Sequence, residues 1–267
     1  MRPPSERPHP ALASDPRSAP VGGPDENGVP AMTSDDTSDQ PFGGFLISSR
    51  SLSEYRSMFA LTDADLRRRL LDCPGGAAGF TAEVRGLGGD VTACDLAYED
   101  DGTTAVAATA VSEAVRGNDY VRAHPEQFRW TFFADPAEHL TVRQRAAELF
   151  GAHSRAEPDR YVAGRLPDLP FGDNAFDLVL SSHLLFSYAA DLDYEFHLAA
   201  IGELLRVGAE ARIFPLLPIA TEQRYRDLDR LRADLRERGV RTRIVDVGYE
   251  FQAGADQMLV CRRAVRR

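Results

Sequence analysis

Apolar positions follow two rhythms along this chain. Short unbroken runs, Leu70-Leu71, Val91-Thr92-Ala93-Cys94, Tyr161-Val162-Ala163, Leu178-Val179-Leu180 and Ile213-Phe214, have the continuous apolar character of parallel strands covered on both faces. Between them lie stretches with helical signals. Ser51 with Glu54 three positions on has the form of a capping box opening a helix through Phe59, and Thr62 with Asp65 repeats it. A short amphipathic helix is predicted from Phe80 to about Gly86. Further helices are predicted from Thr103 to Arg116, stopping at Gly117-Asn118, from His139 to Phe150, stopping at Gly151, and from Asp191 to Val207. From Glu222 to Arg238 the apolar residues Tyr225, Leu228, Leu231 and Leu235 make a surface stripe closed by Gly239. The last apolar runs, Arg243 to Phe251 and Gln257 to Arg262, predict two antiparallel strands. Alternating strands and helices of this kind build an α/β sheet with helices on both faces.

The two ends of the chain differ in composition. Residues 1–41 carry nine prolines, from Pro3 to Pro41, and no aromatic residue. Such a segment buries too little apolar surface to offset its ordering entropy, so 1–41 is expected to be a disordered tail and 42–267 the folded domain. The stretch 97–160 is too long for a simple crossover and is expected to be an insertion with helices of its own. Its Phe128-Arg129-Trp130-Thr131-Phe132-Phe133 cluster is open to two readings, a satellite core under a long connection or a substrate-facing lid.

Charge and cysteine usage narrow the function class. A formal net charge of -10 argues against a large nucleic-acid footprint. All 31 basic residues are arginine, which excludes a lysine nucleophile. Cys73, Cys94 and Cys261 are too scattered for a zinc or disulfide pattern and are expected to be buried thiols; no metal site is expected. The chain has neither an apolar run long enough to span a membrane nor a signal-peptide core, and a cytoplasmic location is expected.

The candidate chemistry centres on Leu70 to Phe80, where apolar residues run into Asp72 and then into Cys73-Pro74-Gly75-Gly76-Ala77-Ala78-Gly79. A strand that ends in small residues and feeds a helix lets the backbone approach a ligand closely. Such a turn also serves simply to pack a helix on a sheet. The second strand ends in Asp95, 23 positions beyond Asp72 (95 minus 72), where a carboxylate can accept hydrogen bonds from vicinal ribose hydroxyls.

With Arg160 to Ala163, the Leu169-Pro170-Phe171 turn, Asp173-Asn174, and Phe176-Asp177 leading an apolar strand, the chain from residue 70 to about 260 resembles the class I S-adenosylmethionine-dependent methyltransferases. Val247 to Gln252 and Arg212 to Leu217 are similar to a subgroup without an assigned substrate. The resemblance implies a Rossmann-like seven-stranded sheet, mostly parallel with an antiparallel C-terminal hairpin. It further implies S-adenosyl-L-methionine as cofactor and a small-molecule methyl acceptor. Asp72, Pro74, Gly75, Gly76 and Ala78 would cradle the methionine and ribose portion, Asp95 would hold the ribose, Leu96 would pack on adenine, and Arg165-Leu166 would lie at the adenine edge. Pro74 and Ala78 stand where the family commonly has glycine, and Arg165 where an acid is common.

His183, after the fourth strand, is the candidate base or substrate-orienting group, with structural hydrogen bonding as its other reading. Tyr188 and His197 are weaker candidates. A non-catalytic cofactor-binding protein is the alternative function. The turn does not match the G-x-G-x-x-G of nicotinamide enzymes, and the Asn/Asp-Pro-Pro-Tyr-type motif of base amino methylation is absent.

Overall fold

The computed structural model describes residues 46–99 and 102–264; the expected tail at 1–41 lies outside the described residues. Ser51 caps α1 (Leu52–Phe59) as a capping box, its hydroxyl accepting the Glu54 N–H and Glu54 accepting the Ser51 N–H at 3.0 Å. The Thr62–Asp65 pair makes the same reciprocal bonds but yields only a single 3-10 turn, Asp65–Arg67. There follow β1 (Arg69–Asp72), α2 (Phe80–Gly86), β2 (Asp90–Asp95), α3 (Gly102–Ala123), α4 (Pro136–Ala156), β3 (Tyr161–Ala163) and β4 (Leu178–Ser182). The chain then adds α5 (Tyr194–Val207), β5 (Glu210–Phe214), α6 (Leu228–Glu237), β6 (Val240–Asp246) and β7 (Gln257–Arg263).

All seven strands join one sheet in the order β3-β2-β1-β4-β5-β7-β6. The first five are parallel, and β7 runs antiparallel to both β5 and β6. This is the architecture expected from the sequence. The pleat divides the core: Leu70, Leu178 and Leu180 face α1, α2 and the insertion, while Leu71 and Val179 face α5 and α6. Each fully buried leucine contributes roughly 1.5–3 kcal/mol of transfer free energy.

Element boundaries depart from the sequence reading where tertiary partners override local signals. α3 runs through Gly117-Asn118 because the buried Asn118 amide donates to the Pro136 carbonyl at 2.7 Å and meets His139 Nδ1 at 2.9 Å. α4 begins earlier, at an Asp135 cap accepting two N–H groups, and continues past Gly151. α5 starts at Tyr194 behind its Asp193 cap, and α6 starts only at Leu228, since the Tyr225 N–H is taken by the Leu216 carbonyl. β6 stops at Asp246, and the chain turns Tyr249 and Phe251 inward on the β6–β7 loop. The aromatic run of the insertion packs on that loop: Phe133 and Phe128 both meet Phe251, with centroids 5.2 and 4.9 Å apart. The aromatic run therefore joins the core over β1 and β4, while Val106, Ala110, Ala147 and Phe150 of α3 and α4 form a smaller cluster with Ala93, Tyr98 and Tyr161.

Candidate functional site

β1, β2 and β4 end side by side, and the turn after β1 lies at their carboxyl edge. Every backbone N–H from Gly75 to Gly79 is engaged within the protein. Gly75 donates to the Cys94 carbonyl at 3.0 Å, Gly76 to Asp95 Oδ2 at 2.7 Å, Ala77 to the Ser48 carbonyl at 3.2 Å, Ala78 to the Gly75 carbonyl at 3.2 Å, and Gly79 to the Arg50 carbonyl at 2.9 Å. Pro74 offers no donor. The segment 46–50, ahead of α1, thus lies along the turn as a strap. Neighbouring protein atoms account for the missing side chains. A Cβ on Gly75 would come within 2.8 Å of Tyr98 Oη, one on Gly79 within 3.1 Å of Ala146 Cα, and one on Gly76, at φ +50°, within 3.0 Å of the Ser48 carbonyl.

Asp72 and Asp95 occupy the predicted strand ends, but in different states. Asp72 is fully buried and both its oxygens take the Tyr55 hydroxyl, at 2.9 and 3.0 Å. Burial pushes its carboxyl well above the usual range; the Tyr55 bond opposes this and Asp95 adds to it. Asp95 is half-buried, with Oδ1 accepting the Ala97 N–H at 2.9 Å and Oδ2 the Gly76 N–H. Burial raises its pKa against those two bonds. Leu96, also half-buried, follows directly. Of the pair after β3, Arg165 is exposed while Leu166 is part of the core beneath α5. Ala78 is core as well, against α1 and α2.

Beyond the strap lies a cavity of about 120 Å³. Its walls come from the strap, from α3 and α4, from the ends of β4 and β5, and from the β6–β7 loop. None of Asp72, Gly75, Gly76, Asp95 or Leu96 lines it. His183 does, held at φ +53°, a left-handed conformation that is strained outside glycine. Its N–H donates to the Phe214 carbonyl at 2.7 Å and its Nδ1 meets the Ser182 hydroxyl at 2.8 Å, which leaves Nε2 as the ring nitrogen available to a ligand. Burial, then Arg50 and Arg143, hold the imidazole well below its usual pKa, so it is neutral. Tyr188 also lines the cavity, where its hydroxyl accepts the Leu46 N–H at 3.0 Å. His197 is fully buried between Phe186 and Tyr225 with each ring nitrogen at a backbone carbonyl, a structural role.

The cavity also holds residues that sequence reasoning passed over. Arg143 of α4 forms a buried ion pair with Glu54 at 2.7 Å, donates to the Ser49 carbonyl at 3.0 Å and meets His139 Nε2 at 3.2 Å. Burial by itself would lower the Arg143 pKa; Glu54 and Tyr249 outweigh it and hold the guanidinium above its ordinary value. His139 is driven down to about 2 by burial and by the two arginines. Arg50, on the strap, differs. Its Nη1 reaches the Ser48 hydroxyl, its buried Nε has no partner, and among the described residues no carboxylate lies within ion-pair distance. The signal in the sequence was misleading: Glu54 stands four positions after Arg50, an apparent partner, yet pairs with Arg143.

No family model matches the chain. Over 224 residues it is 30% identical to Uncharacterized protein MJ0045 of Methanocaldococcus jannaschii, covering 82% of this chain and 96% of the relative. The chain belongs to that protein's family. Two solved structures are similar in fold at 16% identity. A SAM-dependent methyltransferase from Aquifex aeolicus has a TM-score of 0.36, over 73% of this chain and 81% of that one. The pyocyanin biosynthetic protein PhzM has a TM-score of 0.44 over 79% of this chain, which spans only 54% of PhzM. The fold of this family member rests on its own strand order. The three cysteines of the chain are free and buried. Among the described residues no helix is long and apolar enough to cross a membrane, and no three His, Cys, Asp or Glu side chains gather as metal ligands.

Proposed function

We propose that the protein transfers a methyl group from S-adenosylmethionine to a small-molecule acceptor. The observation that carries this reading is the juxtaposition at the carboxyl edge of a 3-2-1-4-5-7-6 sheet: a glycine turn after β1 whose Gly76 N–H binds the Asp95 carboxylate ending β2. In open α/β sheets that edge is where ligands collect.

The residues fit the cofactor at its ribose end. An ionised carboxylate has about four acceptor positions, and the two N–H bonds of Asp95 leave room for ribose hydroxyls. Leu96, half-buried beside it, offers an apolar surface to adenine. The turn contributes no donors, because its N–H groups are already taken, and its glycines make room for neighbouring protein atoms. When bound, S-adenosylmethionine supplies an electrophilic methyl carbon on a sulfonium. The chain's own part is to orient the acceptor, exclude water and receive a proton where one is released. His183 suits the last task, since a neutral imidazole with Nδ1 anchored on Ser182 can accept at Nε2.

Calorimetric titration with S-adenosylhomocysteine tests the reading. Saturable binding is expected, and no detectable heat at millimolar ligand would remove it. His183→Ala is expected to keep that affinity while losing turnover once an acceptor is in hand; unchanged turnover would leave the histidine with its structural role alone.

A further inference from the structure

The cavity behind the strap is lined by charge and aromatic surface in a combination that selects a ligand. Arg50 presents a guanidinium whose buried Nε is unpartnered. A buried donor left without an acceptor costs roughly 1–3 kcal/mol, more when charged, so the group is complete only when something accepts from it. The other charges of the wall are already paired: Arg143 with Glu54 at 2.7 Å, and Glu113 with Arg116 at 2.6 Å. Asp72 does not neutralise Arg50, since both its oxygens are on the Tyr55 hydroxyl and burial favours its protonated form. His139 and His183 are neutral. The wall is therefore left with one uncompensated positive charge. Around it stand the rings of Phe128, Tyr249 and Phe251, while Ile47 and Ile219 supply aliphatic surface. A planar, partly apolar anion matches both features, because guanidinium bonds a carboxylate in two parallel N–H contacts and aromatic rings stack on a flat body.

We infer that this cavity is the acceptor subsite and that the acceptor is an aromatic carboxylate, its carboxylate on Arg50 and its ring among Phe128, Tyr249 and Phe251. The inference rests on the methyl-transfer reading for the word acceptor, but the carboxylate specificity rests on the cavity. Its walls belong to the β4, β5 and β6–β7 ends and to the insertion. The strap separates it from Asp95 and the glycine turn, where the cofactor's ribose would sit. Arg50 is thus a specificity-determining residue, and Gly117, on the α3 wall, keeps the space open.

The experiment is a calorimetric titration of the full chain with benzoate and, separately, with neutral benzamide, each with and without saturating S-adenosylhomocysteine. Benzoate is expected to bind at least about tenfold more tightly than benzamide, the factor that one charge-assisted bond of about 1.4 kcal/mol provides. Arg50→Gln should abolish that preference and Arg50→Lys should retain part of it, both leaving S-adenosylhomocysteine affinity within about threefold. Gly117→Leu, which fills the cavity from a helix that gains by losing a glycine, should abolish benzoate binding and spare S-adenosylhomocysteine. Equal affinity for benzoate and benzamide in the unaltered chain overturns the inference without any variant having to fold. So does an Arg50→Gln chain that loses S-adenosylhomocysteine instead, which would give Arg50 to the cofactor's own carboxylate. A benzoate preference without any S-adenosylhomocysteine binding would overturn the methyl-transfer reading and keep the carboxylate site.

Discussion

At the turn, all five N–H groups from Gly75 to Gly79 find acceptors within the chain, and both oxygens of Asp72 share one tyrosine hydroxyl. At the cavity, a few residues away along the same sheet edge, a buried guanidinium nitrogen has no acceptor and a histidine is held in a left-handed conformation. The turn resembles the interior of a folded protein, where buried polar groups are satisfied internally. The cavity resembles a site, where strain and unmet hydrogen bonding concentrate. The motif that looks most like a binding loop in the sequence is thus the better satisfied of the two regions, and the less conspicuous arginine before α1 is the one with chemistry left to do.

The largest test of that contrast is Glu54→Gln. It strands the Arg143 charge in the wall between strap, α1 and α4, and a loss of roughly 3–5 kcal/mol in unfolding free energy is expected from denaturant melts. A change below about 1 kcal/mol would mean that the pair does not hold the cavity together.

Acid should weaken the same wall by a different route. His139 is neutral in the folded chain down to about 2 and titrates near 6.5 when unfolded, so the unfolded state binds the extra proton first as pH falls. Its contribution is intact above pH 6.5 and declines below it, by about 2 kcal/mol at pH 5. His183, lowered for the same reason, pulls in the same direction. Melts of His139→Gln should show a shallower loss between pH 7 and 5, and an identical slope would place the acid sensitivity elsewhere.

The smallest expected effect belongs to the turn. Asp95→Ala removes the acceptor of the Gly76 and Ala97 N–H groups together with the ribose partner, and S-adenosylhomocysteine affinity is expected to fall about tenfold, near 1.4 kcal/mol. Unchanged affinity would show that the ribose lies elsewhere.

The sheet was legible in the sequence because its strands are unbroken apolar runs and its helices carry three- and four-residue spacing. Leu70-Leu71 and Leu178-Val179-Leu180 needed no partner to be recognised. Helix ends were less legible. Gly117-Asn118 reads as a stop, yet Asn118 trades its local hydrogen bonding for Pro136 and His139, contacts 18 and 21 positions away. The strap was hard to read because it is held largely by backbone groups, the carbonyls of Ser48, Ser49 and Arg50 and the Leu46 N–H, which any residue possesses. Arg50 and Arg143 were hidden for a related reason: which of two arginines takes Glu54 is decided by the docking of α4, not by spacing. His197, a weaker candidate in the sequence, is instead a packed residue, on the same helix face as the core residues Ile201, Leu204 and Leu205.

The order of the sheet has a consequence for how the molecule behaves in a crowded solution. Its two outer strands are β3, only three residues long, and β6, whose exposed positions are Arg241, Arg243 and Asp246. One rim is too short to template another chain, and the other carries Arg241 and Arg243 on one face and Asp246 on the opposite face, charges that a strand added at this edge would have to sit beside. Both rims of the sheet are therefore poor templates for growth edge to edge.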